Sequence, residues 1–207
     1  MSVRGTRRPR HLGPNLLANA GFRTSSTSNW PDGTPANGWT FTSQSDATAT
    51  CALWHDSPDW TLRDGDIPSW DGIGAPYGST VALHSTKSTG TFFPQIYSAD
   101  VPAVAGARYS CGVLLGNHRA TSVFATLTWL DTTGATISTV SLPPCTQDYS
   151  GSAWLVQWFH SRLSGIMAPA TTVAARLAIV LQTPYTSGTD MWAFIDRAWL
   201  REEDSPV

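Results

Sequence analysis

The residues best suited to chemistry lie between 54 and 77, in the run W-H-D-S-P-D-W-T-L-R-D-G-D-I-P-S-W-D-G-I-G-A-P-Y. Trp54, Trp60, Trp70 and Tyr77 alternate there with Asp56, Asp59, Asp64, Asp66 and Asp71. An aromatic face stacks on the C–H face of a pyranose, and nearby carboxylates accept hydrogen bonds from sugar hydroxyls. Mixed apolar and polar surfaces of this kind are what ligand sites are made from. Trp54, Trp60, Asp64, Asp66, Trp70 and Tyr77 are therefore the candidate glycan-binding residues. The same composition also suits a long loop whose tryptophans plug the end of a sandwich while its aspartates make local turns. Asp64-Gly65-Asp66 lacks the spaced acidic ligands and closing Glu of an EF-hand. Several aspartates in one turn-rich loop do not make an opposed pair with a raised pKa, so glycoside hydrolysis is the least supported chemistry. The chain has no nucleophile elbow, H-E-x-x-H or phosphate loop, and it is expected not to be an enzyme. His11, His55, His84, His118 and His160 are scattered and read as surface or packing residues.

A loop of this kind needs a rigid frame, and the composition provides for one. The chain has 207 residues with 10 Trp and only 14% charged residues, enough large apolar side chains to drive collapse into one sizeable core. Net charge is −2, unevenly placed. The first 13 residues hold Arg4, Arg7, Arg8 and Arg10 and no acid, so the remainder carries −2 − 4 = −6. An acidic body argues against a general nucleic-acid-binding surface. Cys51, Cys111 and Cys145 are odd in number and have no C-x-x-C spacing, which indicates neither zinc nor a disulfide framework. No run is apolar enough to span a membrane as a helix, and no h-region follows the N-terminal arginines. The expected export route is one that needs no signal peptide.

The frame reads as strands. Residues 1–14 form an extended basic arm expected to dock onto a partner subunit. A turn-rich loop over 23–38 leads to Trp39-Thr40-Phe41-Thr42, and Ala47 to Trp54 reads as a strand. Val81 and Leu83 alternate with polar neighbours, and Phe92 to Tyr97 is a further strand whose Pro94 points to an edge or a bulge. Tyr109, Cys111, Val113 and Leu115 share one face, as do Val123, Ala125, Leu127 and Trp129, with Phe124 and Leu130 opposite. Asp131-Thr132-Thr133-Gly134 is a hairpin loop leading to Ile137 and Val140. Val173 to Leu181 fits a helix or a strand, and its β-branched content selects the strand. Tyr149, Trp154, Trp158 and Phe159 show poor periodicity and read as a packed connection. In the closing segment 191–200, alternation puts Trp192, Phe194, Asp196 and Leu200 on one face and Met191, Ile195 and Trp199 on the other. Both faces are apolar apart from Asp196, so this is a central strand, and its carboxylate needs a cation, a metal or several N–H donors. Residues 15–22 have the length to pair beside it and bring the chain ends together. Strand-like runs without a convincing helix give an all-β, antiparallel two-sheet sandwich over 15–203, with a short tail at 204–207.

Asn15-Leu16-Leu17-Ala18-Asn19-Ala20-Gly21-Phe22, followed by Gly38-Trp39, resembles the N-L-L-x-N-x-x-F … G-W opening of the jelly-roll carbohydrate-binding modules attached to xylanases and glucanases. Similar modules occur in minor tail and other structural proteins of bacteriophages. Gly106-Ala107-Arg108-Tyr109 is similar to the family's G-x-x-Y strand start. Trp129-Leu130-Asp131 with Gly134, then Ala168-Pro169 and the closing Phe194-Ile195-Asp196, recur in family order over about residues 14–203. The resemblance implies a jelly-roll, galactose-binding-like β-sandwich. It also implies a structural calcium in many members, held by an acid after the first motif and by the Asp of the last strand. Asp196 matches the second position, but the first is Arg23. A bidentate Arg23–Asp196 pair is the favoured expectation, with calcium at Asp196 the alternative, since calcium takes six or more oxygen ligands.

These readings together lead to a non-enzymatic bacteriophage virion protein of carbohydrate-binding-module-like fold. It is expected to be made in the host cytoplasm and displayed in multiple copies on tail or head for attachment to host-surface glycan. Arg4, Arg7, Arg8 and Arg10 are expected to hold it to other virion proteins, with nucleic acid an unlikely partner. The alternatives are a binding module of a secreted polysaccharide-degrading enzyme and a decoration protein with no glycan ligand.

Overall fold

Period-two alternation decides most of this chain, and the computed structural model turns it into eleven strands among the described residues. Residues 12–22, 37–43, 49–55, 79–86, 91, 93–147, 158–183 and 191–203 are described. In chain order the strands are β1 (Trp39–Thr42), β2 (Ala49–His55), β3 (Ser79–Ser85), β4 (Gln95–Ser98), β5 (Val101–Pro102) and β6 (Arg108–His118). They continue with β7 (Ser122–Leu130), β8 (Thr136–Ser141), β9 (Phe159–Met167), β10 (Ala174–Gln182) and β11 (Met191–Glu203). One sheet runs β1-β4-β10-β7-β8, with β5 added beside β10; the other runs β2-β3-β11-β6-β9. Every strand pair is antiparallel. The expected all-β, two-sheet sandwich is therefore what forms.

The core lies between the sheets and is made by the inner half of each alternation. Tyr109, Cys111, Val113 and Leu115 of β6 face Ala125, Leu127 and Trp129 of β7, all fully buried. Tyr109 meets Trp129 edge-on, with ring centroids 5.2 Å apart, the geometry that aromatic quadrupoles prefer. The Tyr109 hydroxyl accepts from the backbone N–H of Val104 at 2.8 Å, so burying this polar tip leaves no unmade bond there. The segment 174–182, ambiguous by pattern, is a strand: Ala175, Leu177, Ile179 and Leu181 point inward at zero exposure.

Three expectations change on contact with the structure. First, β4 begins after Pro94 and lies between β1 and β10, so Pro94 marks neither an edge nor a bulge. A proline ahead of a strand removes no ladder donor. Second, Phe159–Met167 is an edge strand beside β6 rather than part of a connection. Third, the alternation in β11 does not run through to its end. Its register against β6 shifts between Asp196 and Trp199, and Arg197 adopts a left-handed φ of 45°. One extra residue reverses the facing of everything after it. Leu200 therefore joins Ile195 in the core, and Trp199 joins Trp192 outside.

The bulge also hands over hydrogen-bonding partners. Before it, residues 191–195 pair with β3; after it, the same edge of β11 pairs with the N-terminal segment. Leu16 N–H donates to Leu200 O at 2.8 Å, Gly13 N–H to Glu202 O at 2.9 Å, and Leu12 bridges Glu203. Asn15 is the clamp. Its Oδ1 accepts from the N–H of Leu200 at 3.1 Å and of Leu17 at 3.2 Å, while its Nδ2 donates to Ala198 O at 3.1 Å. An amide side chain can imitate a piece of backbone in this way because it carries both a donor and an acceptor. Downstream, Asn19 at φ 47° donates to Asn37 O, and buried Phe22 packs on Trp39 at 4.9 Å. The opening segment and the closing strand thus lie side by side as expected, and the described fold begins at Leu12, inside the stretch read as the arm.

Candidate functional site

The site-like surface among the described residues is the outer face of the β1-β4-β10-β7-β8 sheet. Because odd-numbered residues of β10 fill the core, Arg176, Ala178, Val180 and Gln182 stand outside. Ala178 lies opposite Tyr97 on one side and Thr126 on the other; Val180 lies opposite Gln95 and Phe124. Small side chains on the middle strand and taller ones on its neighbours leave a shallow trough. The strand backbones that bear the taller side chains run roughly 10 Å apart, and Ala178 and Val180 between them are 8% and 6% exposed.

One end of the trough is polar and ordered. Arg176 Nε donates to Asp100 Oδ1 at 2.6 Å and Nη2 donates to Oδ2 at 3.0 Å, a bidentate fork. The guanidinium carbon sits over the Tyr97 ring, 5.1 Å from its centroid. The Asp100 hydrogen bonds, with the carboxylate charge, hold Arg176 above its ordinary pKa. Both partners are more than a third exposed, so the pair contributes little to stability. Its effect is positional: it fixes a flat ring, a donor edge and an acceptor edge side by side. Thr128 and Thr139 continue the polar surface toward β8, with their hydroxyl oxygens 3.2 Å apart. Such a face can stack on an apolar ring face and exchange hydrogen bonds with hydroxyls.

The opposite outer face differs. On β11, Trp192 stacks with His84 at 4.0 Å and lies parallel to Phe194 at 6.3 Å. Trp199 packs near His160 at 4.9 Å and directly over Gly112, where a Cβ would meet its Cζ2 at 2.1 Å. Although Phe194 and Asp196 point away from the core, they are 4% and 3% exposed. His84 and His160 are thus packing residues, as expected.

Most of the residues singled out by sequence fall elsewhere. Trp60, Asp64, Asp66, Trp70 and Tyr77 lie outside the described residues, as do Arg4, Arg7, Arg8, Arg10 and Arg23; for Trp54 only the backbone is described, opposite Thr80 in β2. Asp196 is described and buried. Among the described residues no group of three or more His, Cys, Asp or Glu gathers to hold a metal. One carboxylate falls well short of the six to eight oxygens calcium takes, so the described residues by themselves do not fit that ion. Cys51, Cys111 and Cys145 are free and buried, and burial pushes their thiols up to about 12, 12 and 11. They are inert small hydrophobes. No helix among the described residues is long and apolar enough to cross a membrane.

Comparison with known proteins gives a fold. No family model matches the chain, and no curated protein matches it. Among solved structures, the Stig cyclase Fisc of Fischerella sp. TAU, in complex with an indole compound, superposes at TM-score 0.59 with 12% identity. The match covers 95% of this chain and 100% of that one. The enzymatically active domain of tailspike protein 4 of bacteriophage CBA120 superposes at 0.54 with 12% identity, covering 91% of this chain and 21% of the tailspike chain. This chain therefore spans about a fifth of that relative's length. A carbohydrate-binding module solved with β-1,4-galactotriose matches 91% of this chain and 98% of its own at 16% identity, with a TM-score of 0.49. Likeness at 12% identity shows the fold, and a fold alone does not choose a function.

Proposed function

We propose that this chain is a non-enzymatic glycan-recognition module of a bacteriophage particle, displayed in many copies for attachment to the host surface. The observation that carries the recognition role is the outer trough of the β1-β4-β10-β7-β8 sheet. There Ala178 and Val180 floor an apolar strip walled by Tyr97 and Phe124, with the Arg176–Asp100 fork at one end. Stacking and solvent-facing hydrogen bonds each contribute little net free energy against water, so a single site binds weakly. Many copies on one particle compensate without any new contact. Placement on a phage particle is supported by the motif resemblance and by the basic arm with Arg4, Arg7, Arg8 and Arg10. The loop carrying Trp60 and Trp70 is proposed as a further glycan-binding element.

The test is a glycan array, followed by binding to purified host envelope, comparing wild type with two pairs of variants. Tyr97→Ala and Phe124→Ala remove the trough walls; Trp60→Ala and Trp70→Ala strip the loop. Loss of binding by the first pair places recognition on the sheet, and loss by the second places it on the loop. If all four variants stay folded and bind as wild type does, glycan recognition is wrong and the sandwich is a structural decoration.

A further inference from the structure

Charge is divided unequally between the two sheets. The six described strands of the sheet that bears the trough hold one Asp, Glu, Lys or Arg, which is Arg176, whereas the five of the other sheet hold seven. Around Arg176 the outward positions are hydroxyls, an aromatic ring and small side chains instead. Arg176 stands opposite Thr128, and in the next row Ala178 stands between Tyr97 and Thr126. A lone guanidinium on such a face would make an anion site, because its planar donors match a carboxylate or a phosphate two oxygens at a time. Here that seat is taken. Asp100 Oδ1 accepts from Arg176 Nε, and Oδ2 accepts from Nη2.

The backbone holds Asp100 there from both sides. Leu177 N–H donates to Ser98 Oγ at 3.2 Å, and the same hydroxyl donates to Ala99 O at 2.8 Å. Ala99 N–H in turn donates to Gly38 O at 3.0 Å, and Val101 pairs with Ala175, the residue before the arginine. The short link between β4 and β5 is thus fixed before the carboxylate meets its cation. Arg176 is held at one edge by Asp100 and over one face by the Tyr97 ring, whose centroid lies 5.1 Å from the guanidinium carbon.

What the fork leaves open sorts ligands by charge. A carboxylate has about four lone-pair sites and the fork uses two, so Asp100 can still accept from a sugar hydroxyl. The Nη1 group of Arg176 takes no part in the fork and can still donate to one. A hydroxyl suits both, since it donates and accepts. The charged group of a uronate or a sugar phosphate has oxygens to offer but must compete with Asp100 for the same cation, beside a like charge. We infer that Asp100 is a specificity-determining residue, which reserves Arg176 so that the trough admits uncharged sugars and turns away acidic ones. The inference rests on the glycan reading of the trough and adds the class of sugar admitted.

The experiment measures binding of the full chain to matched oligosaccharides, in which a neutral hexose is replaced by its uronate or its phosphate ester, at low and at physiological salt. The variants are Asp100→Asn, which keeps the shape and one acceptor oxygen but not the charge, and Asp100→Asn combined with Arg176→Met. The pair is exposed, so both should melt close to wild type, and circular dichroism confirms that they fold. Wild type is expected to prefer the neutral member, and Asp100→Asn to shift the ratio by about tenfold toward the acidic one. That gain should fade as salt rises and vanish in the double variant, because it runs through the freed guanidinium. A folded Asp100→Asn chain that keeps the wild-type ratio, or a wild type that binds the acidic member as tightly, overturns the inference while leaving glycan recognition standing. A wild type that binds neither member brings down glycan recognition and this inference together.

Discussion

The outer side of the β2-β3-β11-β6-β9 sheet carries Trp192, Phe194 and Trp199 with imidazoles laid against the indoles, and its central residues are almost fully covered. The outer side of the partner sheet carries Tyr97, Phe124, threonines and an exposed ion pair around a low apolar strip whose Ala178 and Val180 are likewise buried, at 8% and 6% exposure. Both faces are aromatic, yet they use aromatics differently. On the first face rings pack on rings and on a glycine backbone, so the residues are committed to the fold. On the second, Tyr97 is packed beside a guanidinium and its surroundings can still exchange water for a ligand. Aromatic content therefore does not identify a binding face; what the rings touch does.

The comparison is tested most strongly at Asp196. Removing one member of a buried charged pair typically costs about 3–5 kcal/mol, and if Asp196 pairs with Arg23 a loss of that size is expected for Asp196→Ala in urea unfolding. Unchanged stability would mean that the carboxylate is in water and the face is open. Chelator should leave wild-type melting unchanged if Arg23 is the partner, and lower it if calcium is. The next effect is at Gly112. Besides the Trp199 ring, an added Cβ meets the Ser161 carbonyl oxygen at 2.8 Å, and backbone cannot swing aside. Overpacking of this kind costs about 1–3 kcal/mol, so Gly112→Ala should melt well below wild type. An unshifted melting curve would show that Trp199 is free to leave the glycine. The smallest effect belongs to the other face. Arg176→Met deletes an exposed pair and should change stability by less than about 1 kcal/mol while weakening glycan binding. A large stability loss there would make the two faces alike.

The sequence made the inner faces of β6, β7 and β10 legible because long apolar alternation admits few other readings. The Asn15 to Trp39 motif was legible for a related reason: it names the residues that clamp β11. In β9, Phe159–Met167 escaped because an edge strand needs few apolar residues. Only Ser161 is fully buried, and a positive φ at Gly165 interrupts the period. Plain alternation puts Leu200 on the outer face, and it fails there because one residue, Arg197, takes a conformation that no local pattern signals. The trough was hidden for a topological reason. Tyr97 and Arg176 become neighbours only through the pairing of β4 with β10, although Phe124 was already visible as the residue opposite a core alternation. The loop at 54–77 drew attention by density, and density speaks of composition rather than place.

The two most C-terminal of the described strands, β10 and β11, are the central strands of the two sheets. A ribosome emitting this chain from its N-terminus therefore supplies the flanks of both sheets first. Until residues 174–203 emerge, β4 has no bridge to β7 and β3 has none to β6, and the Asn15 clamp has nothing to hold. Pairings this distant along the chain fold slowly, and unpaired strand edges are open to wrong partners meanwhile. Synthesis and folding are thus separated in time. The nascent chain must wait until residues 174–203 have emerged, and then both layers can close together.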